Sequence, residues 1–316
     1  MPESHPLIPM RDGVTASKVH LPKQLKATFI YDFLCEKFPH ISTTEWQQRF
    51  QDGLILNAAG EVLSITQKYQ TQQHIYYYRH LAKEVLVPFE HEILFENDHL
   101  MVVDKPHFLT MSPTGQYVQE TLLVRLKQQT NNPQLTPIHR LDRETAGVVL
   151  FSKQPETRSV YQNLFAAHLV HKSYHAIAAF NTTLQFPCQT AFKMQKGQPF
   201  YTMQIVAGEP NSETKIELLE HNAHWGKYLL KPKTGKQHQL RVHLNALGIP
   251  ILNDPFYPIV KHKDEDDFSQ PLQLLAKEIY FVDPITKQKM AFFSTKNLLL
   301  PIQCNDNELI KNNQTH

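Results

Sequence analysis

Between residues 91 and 300 the chain carries a succession of short apolar runs: HLMVVDKP, AGVVLFSK, SYHAIAAF, WGKYLLKPK, LAKEIYFVDP and KMAFFST. Each reads as a strand. Helical spacing is rarer. TRSVYQNLFAAHLV places Val160, Leu164 and Phe165 on one side, and TGKQHQLRVHLNALG forms a second helix. Strands outnumber helices, and no regular strand–helix alternation appears. That predicts a mixed α+β fold rather than a parallel doubly wound sheet.

The N-terminal part has a different texture. Residues 1–22 are rich in proline and polar residues and read as an arm. In TFIYDFLCEKFPH, residues Phe29, Ile30, Phe33, Leu34 and Phe38 follow helical spacing until Pro39 stops it. Ser42 and Glu45 have capping-box spacing before Trp46 and Phe50, and Gly53 can close that helix. LILNAAGEVLS then reads as strand, tight turn, strand, and HIYYYRH as a further strand. Residues 23–90 thus form a small helix–helix–strand unit, followed by a larger domain over 91–302 and a tail over 303–316. The small unit's cations (Lys26, Lys37, Arg49, Lys68, Arg79, Lys83) are offset by Asp32, Glu36, Glu45, Asp52, Glu61 and Glu84. Its charge alone therefore does not distinguish scaffolding from nucleic-acid binding.

A net charge of +2 over 316 residues leaves any basic surface to a local patch. Cys35, Cys188 and Cys304 are far apart, so neither a zinc ribbon nor a disulfide framework is suggested. MPESHPLIPM lacks the pattern of a signal peptide, and no apolar run reaches the ~18 residues of a membrane span. A reducing cytoplasm is the expected setting.

Two segments could carry chemistry. In PIHRLDRETAGVVLF, Asp142 sits between Arg140 and Arg143, just before a buried strand. A carboxylate close to fixed cations stays ionised, which suits a nucleophile or electrostatic stabiliser better than a general acid. An ion-paired loop aspartate would look the same. In TGKQHQLRVHLNALG, Thr234 and Gln237 have capping-box spacing, so the helix should begin just after Thr234. Leu240, Leu244 and Leu247 share one face, and His238, Arg241 and Asn245 an adjoining one. Arg241 is then either part of a solvated cationic face or a guanidinium aimed at an anion. His238 and His243 are five apart, which does not align two metal ligands on a helix, and no metal is expected.

HRLDRETAGVVLFSK resembles the catalytic motif of the RluA family of RNA pseudouridine synthases, close to H-R-L-D-x-x-T-S-G. TGKQHQLRVHLNALGIPILNDPFY resembles its later motif, T-G-R-x-H-Q-I-R-x-H-L-x-x-x-G-x-P-I-x-G-D-x-x-Y. FENDHLMVVDKPHFLTMSPTG resembles the early strand and K-P loop, and HKSYHAIA the K-x-Y-x-A segment. The matches occur in family order over roughly residues 91–300. Departures are Phe108 for a glycine, Ala146 for a serine, Lys236 for an arginine, Asn253 for a glycine and Leu275 for a histidine.

The resemblance implies an α+β catalytic domain with a mixed, mainly antiparallel sheet, and, more faintly, an alpha-L-like RNA-binding domain over 23–90. It implies a cofactor-free isomerase, monomeric and cytoplasmic, that turns uridine in ribosomal or transfer RNA into pseudouridine. Asp142 would act at ribose carbon 1′, Arg241 would pair with it, and Tyr174 would lie on the uracil. Arg140 would fill the gap left by the flipped nucleotide. Lys105, His139, Arg143, Lys236, His238 and Gln239 would contact RNA. The rival reading is a non-catalytic RNA-binding protein or folding assistant on the same fold. A hydrolase using Asp142 with His139 or His243 lacks any supporting G-x-S-x-G or H-E-x-x-H motif.

Overall fold

A computed structural model describes residues 8–23, 27–79, 84–262, 264 and 266–301. The first seven residues of the expected arm, Lys26, Lys83, Cys304 and the expected tail at 303–316 lie outside the described residues. The chain divides into two compact units, residues 1–143 with 149–162 and residues 144–148 with 163–316.

In the first unit, β1 (Ser17–His20), which falls inside the segment read as an arm, joins β2 (Ile55–Asn57) and β3 (His74–Tyr77). They form an antiparallel sheet in the order β1-β3-β2. Helices α1 (Ile30–Lys37) and α2 (Thr43–Gln51) pack Phe33, Leu34, Trp46 and Phe50 against Val19, Ile75 and Tyr77. Ser42 caps α2 by accepting the Glu45 N–H at 3.1 Å. After β2, Asn57 Oδ1 accepts the N–H groups of Ala59 and Glu61 at 2.9 and 3.0 Å, which makes the turn. The expected second limb is only a bridge between Leu56 and Val62.

The same unit continues with β4 (Glu92–Glu96), β5 (Leu100–Lys105), α3 (Leu122–Thr130), β6 (Thr136–Pro137), β7 (Ala146–Ser152) and the start of α4 (Pro155–Ala166). Strands run β4-β5-β7, and β6 pairs with the end of β7. β5 and β7 are buried along their whole length, which explains their unbroken apolar runs. Helix α3 was not legible as a helix. Thr121 Oγ1 accepts the Val124 N–H at 3.3 Å, Leu122, Leu123 and Leu126 are buried, and left-handed Asn131 ends it. Helix α4 buries Tyr161 rather than Val160, which is exposed. Leu164 and Phe165 are half-buried on the same side as Tyr161, so the expected face holds except at Val160.

The second unit holds β8 (His171–Ala179), β9 (Cys188–Lys196), β10 (Met203–Val206), β11 (Ser212–His221), β12 (Trp225–Pro232), α5 (Gln239–Ala246), β13 (Leu274–Val282) and β14 (Lys289–Phe293). The order is β10-β9-β11-β12-β8-β13-β7, with β14 on β13. Its strand pairs are antiparallel except β13 with β7. The α+β expectation with a mainly antiparallel sheet therefore holds. Strands β9, β10 and β11 lie in a stretch read only as polar, because few of their residues are buried.

Two local features place the site. Gly147 has φ +114°, and a Cβ there would lie 2.2 Å from the Ala276 carbonyl oxygen of β13. Only glycine allows that approach. Helix α5 starts later than the capping-box spacing suggests. The Thr234 hydroxyl donates to Gln239 Oε1 at 2.7 Å and accepts the Glu213 N–H at 3.0 Å. It is thereby committed to β11 and to a side chain, and α5 begins at Gln239 after left-handed His238. Leu240 and Leu244 then pack on Ala176, Ile216, Tyr228 and Leu274.

Candidate active site

In the first unit, the loop between β6 and β7 carries Asp142, half-buried, and Arg140, exposed. His139 is turned inward, its Nε2 accepting the Leu150 N–H at 3.2 Å. Lys105 at the end of β5 is fully buried, and its Nζ donates to the carbonyls of Pro106, Leu109 and Arg143 at 2.9, 2.9 and 3.0 Å. A desolvated ammonium needs such partners. Lys105 therefore tethers the Asp142 loop. The Arg143 guanidinium lies 5.1 Å from the Tyr117 ring centre and 5.7 Å from that of Phe108. Phe108 has φ +65°, the conformation that suits the glycine its position matches in the family motif.

In the second unit, Arg241 is 1% exposed. Its Nε and Nη2 donate to Asp254 Oδ2 and Oδ1 at 2.8 and 2.6 Å, and Nη1 lies 3.9 Å from Glu144 Oε2. Asp254 Oδ1 also accepts the N–H groups of Phe256 and Tyr257 at 2.8 and 3.2 Å, and the guanidinium lies 4.9 Å from the Phe256 ring centre. Arg241 is thus no solvated surface cation. Asp254 stands inside the quoted NDPFY segment but was not singled out, because nothing in spacing alone aims it at α5. The preceding Asn253 has φ +61°, again where the family motif carries glycine.

Tyr174 is half-buried on the central strand β8, in register with Leu230 of β12 and Ala276 of β13. Of the expected RNA contacts before and in α5, only Lys236 faces solvent. His238 is buried, with Nδ1 2.9 Å from Tyr257 Oη, which accepts the Met203 N–H at 2.8 Å. Gln239 is buried and saturated: Oε1 accepts from Thr234 Oγ1 and the Lys236 N–H, and Nε2 donates to Glu213 O and Thr214 Oγ1. Both residues brace the start of α5 through these internal hydrogen bonds.

His243, two residues beyond Arg241, is fully buried between the hydroxyls of Thr190 and Ser212, each 2.9 Å from a ring nitrogen. Burial pushes its imidazole down to about 4, so it is neutral at physiological pH. It fastens α5 to β9 and β11.

The chain matches the RNA pseudouridylate synthase family over residues 99–246. It is 34% identical over 208 residues to the dual-specificity RNA pseudouridine synthase RluA of Vibrio vulnificus, covering 61% of this chain and 78% of that one. It is 29% identical over 227 residues to tRNA pseudouridine synthase C of Vibrio parahaemolyticus, covering 65% and 90%. Human RNA pseudouridylate synthase domain containing 1 shares the fold, with TM-score 0.55 and 21% identity over 73% of this chain and 97% of that one. The Asp142 loop, Tyr174 on β8 and Arg241 on α5 stand within the matched span, and the chain belongs to the RluA-like family of RNA pseudouridine synthases, isomerases of uridine in RNA.

Proposed function

We propose that Asp142 is the catalytic carboxylate of this isomerase. In the reaction the bond from ribose carbon 1′ to uracil N1 breaks and one from carbon 1′ to carbon 5 forms. Carbon 5 loses a proton and N1 gains one, so the product has the composition of the substrate. Asp142 supplies negative charge at carbon 1′ as the glycosidic bond opens. Tyr174 offers a flat face to the turning uracil and a polar tip for the carbon 5 proton. Arg241, oriented by Asp254, supports the anionic carboxylate, and Arg140 takes the place vacated by the flipped nucleotide.

The observation that carries this reading is the position of Asp142 in a loop tied down from within. Lys105 holds the carbonyl of the next residue, Arg143, which fixes the backbone beside the carboxylate. We infer ribosomal or transfer RNA as substrate, a cytoplasmic setting and a monomer, with residues 23–90 as an alpha-L-like RNA-binding element. No described helix is long and apolar enough to cross a membrane.

The test is tritium release from RNA labelled at uracil carbon 5. Asp142→Ala should bind RNA and remain folded but release no tritium above background. Release at the wild-type rate would remove Asp142 from the mechanism. Mapping pseudouridines in cellular RNA with and without the protein would name the uridine.

A further inference from the structure

Phe200 is 77% exposed at the tip of the β9–β10 hairpin, yet that tip is firmly held. Gly197 N–H donates to Thr202 O at 3.0 Å, and the Thr202 N–H and hydroxyl donate to Pro199 O at 2.8 and 2.7 Å. Gln237, in the loop before α5, ties the hairpin on both sides. Its Nε2 donates to Tyr201 O at 3.3 Å, and its Oε1 accepts from Lys196 Nζ at 2.9 Å. An apolar ring this exposed gains nothing from burial in the chain's own core. Its fixed presentation is what a binding surface needs.

Ring contacts run inward from this tip within the second unit. Phe200 and Tyr201 have ring centres 5.5 Å apart, Tyr201 and Phe256 5.3 Å, and Phe256 lies under the Arg241 guanidinium at 4.9 Å. Near the tip, β9 carries Lys193 and Lys196 and the loop before α5 carries Lys236, while Lys227, Lys231 and Lys233 pair with Glu220, Glu217 and Glu213 of the neighbouring β11. Lys196 and Lys236 are exposed.

We propose that Phe200 and Tyr201 form a stacking platform for an unpaired base of the RNA substrate that flanks the target uridine, with Lys196 and Lys236 taking its phosphates. An aromatic face accepts any base, and neighbouring cations favour the polyanion over an apolar peptide. The proposal rests on the reading that Arg241 serves the reacting uridine, because the ring series ends on that residue.

The test uses the full chain and a short uridine-containing RNA carrying one 2-aminopurine beside the target. Wild type and Phe200→Trp should quench the 2-aminopurine strongly, whereas Phe200→Ala and Phe200→Leu, which keep only Tyr201 of the platform, should quench it clearly less. In tritium release, Phe200→Ala should raise KM about tenfold, a larger change than in kcat. Its thermal unfolding should match wild type, since the ring is exposed. Quenching by Phe200→Ala at the wild-type level would overturn the proposal. So would full recovery of KM by Phe200→Leu, which would mark an apolar contact of another kind. Asp142→Ala in the same assay should quench normally without turnover. If it turned over, the catalytic assignment would fail while the stacking result stood.

Discussion

Arg241 and Asp254 meet through two parallel hydrogen bonds, Nε to Oδ2 at 2.8 Å and Nη2 to Oδ1 at 2.6 Å, with both side chains withdrawn from solvent. Removing one partner strands the other's charge, at a cost of about 3–5 kcal/mol. Arg241→Met and Asp254→Asn should each lower the urea midpoint strongly. The double variant should recover about 2 kcal/mol relative to their sum. Arg241→Lys should lose less stability but still lose the two-pronged contact and most activity. Strict additivity in the cycle would mean that the pair is not energetically coupled.

His243 makes stability depend on pH in a definite direction. Its folded value is about 4 against an ordinary 6.5, so between those values the unfolded chain binds more protons. The neutral ring's contribution is fully present above pH 6.5 and drains away as pH falls towards 4, by up to about 3 kcal/mol. Urea titrations of wild type and His243→Gln across that window should converge as the medium becomes acidic. Parallel curves would contradict the buried neutral imidazole.

Gly147 should be intolerant of any side chain. Gly147→Ala places a methyl against the Ala276 carbonyl and forces a left-handed φ on alanine. A loss of at least about 2 kcal/mol in unfolding free energy is expected. An unchanged melting temperature would show that β7 and β13 can part without cost.

Phe108 offers an inverted comparison. Its φ of +65° penalises every residue with a Cβ, while its ring stacks on Phe89 and supports Arg143. Phe108→Ala should cost about 3 kcal/mol through lost packing. Phe108→Gly should cost about 1 kcal/mol less than alanine, the reverse of the usual order in regular structure. Chemical denaturation of the two variants decides it.

The parts of this fold that showed in the sequence are those whose inward residues form an apolar run or recur at a helical or alternating period. β5 and β7 are wholly buried and read as apolar runs, and α1 and α2 show their inward residues at helical spacing. β9 and β11 did not show, since most of their side chains are polar and at least partly exposed, and α3 offered a short pattern with its cap on Thr121. The site divides in the same way. Asp142, Tyr174 and Arg241 were legible through motif resemblance. The buried role of Lys105 was not, because a lysine letter says cation and not which carbonyls will surround its ammonium. Asp254 was hidden for a related reason: its partner lies on another element, and only folding brings the two together.

Strand β7 has a consequence for the gene. Its first residues belong with residues 163–316 and its last with residues 1–143. A break after Gln162 would take Ala146 and Gly147 away from their β13 partners, Leu275 and Ala276. A break after Arg143 would take Phe151 and Ser152 away from Pro137 and Thr136. No single cut in the coding sequence yields both halves intact. Exon shuffling or fragment complementation would have to carry this region as an undivided block, and insertions should be tolerated at its ends far better than at its middle.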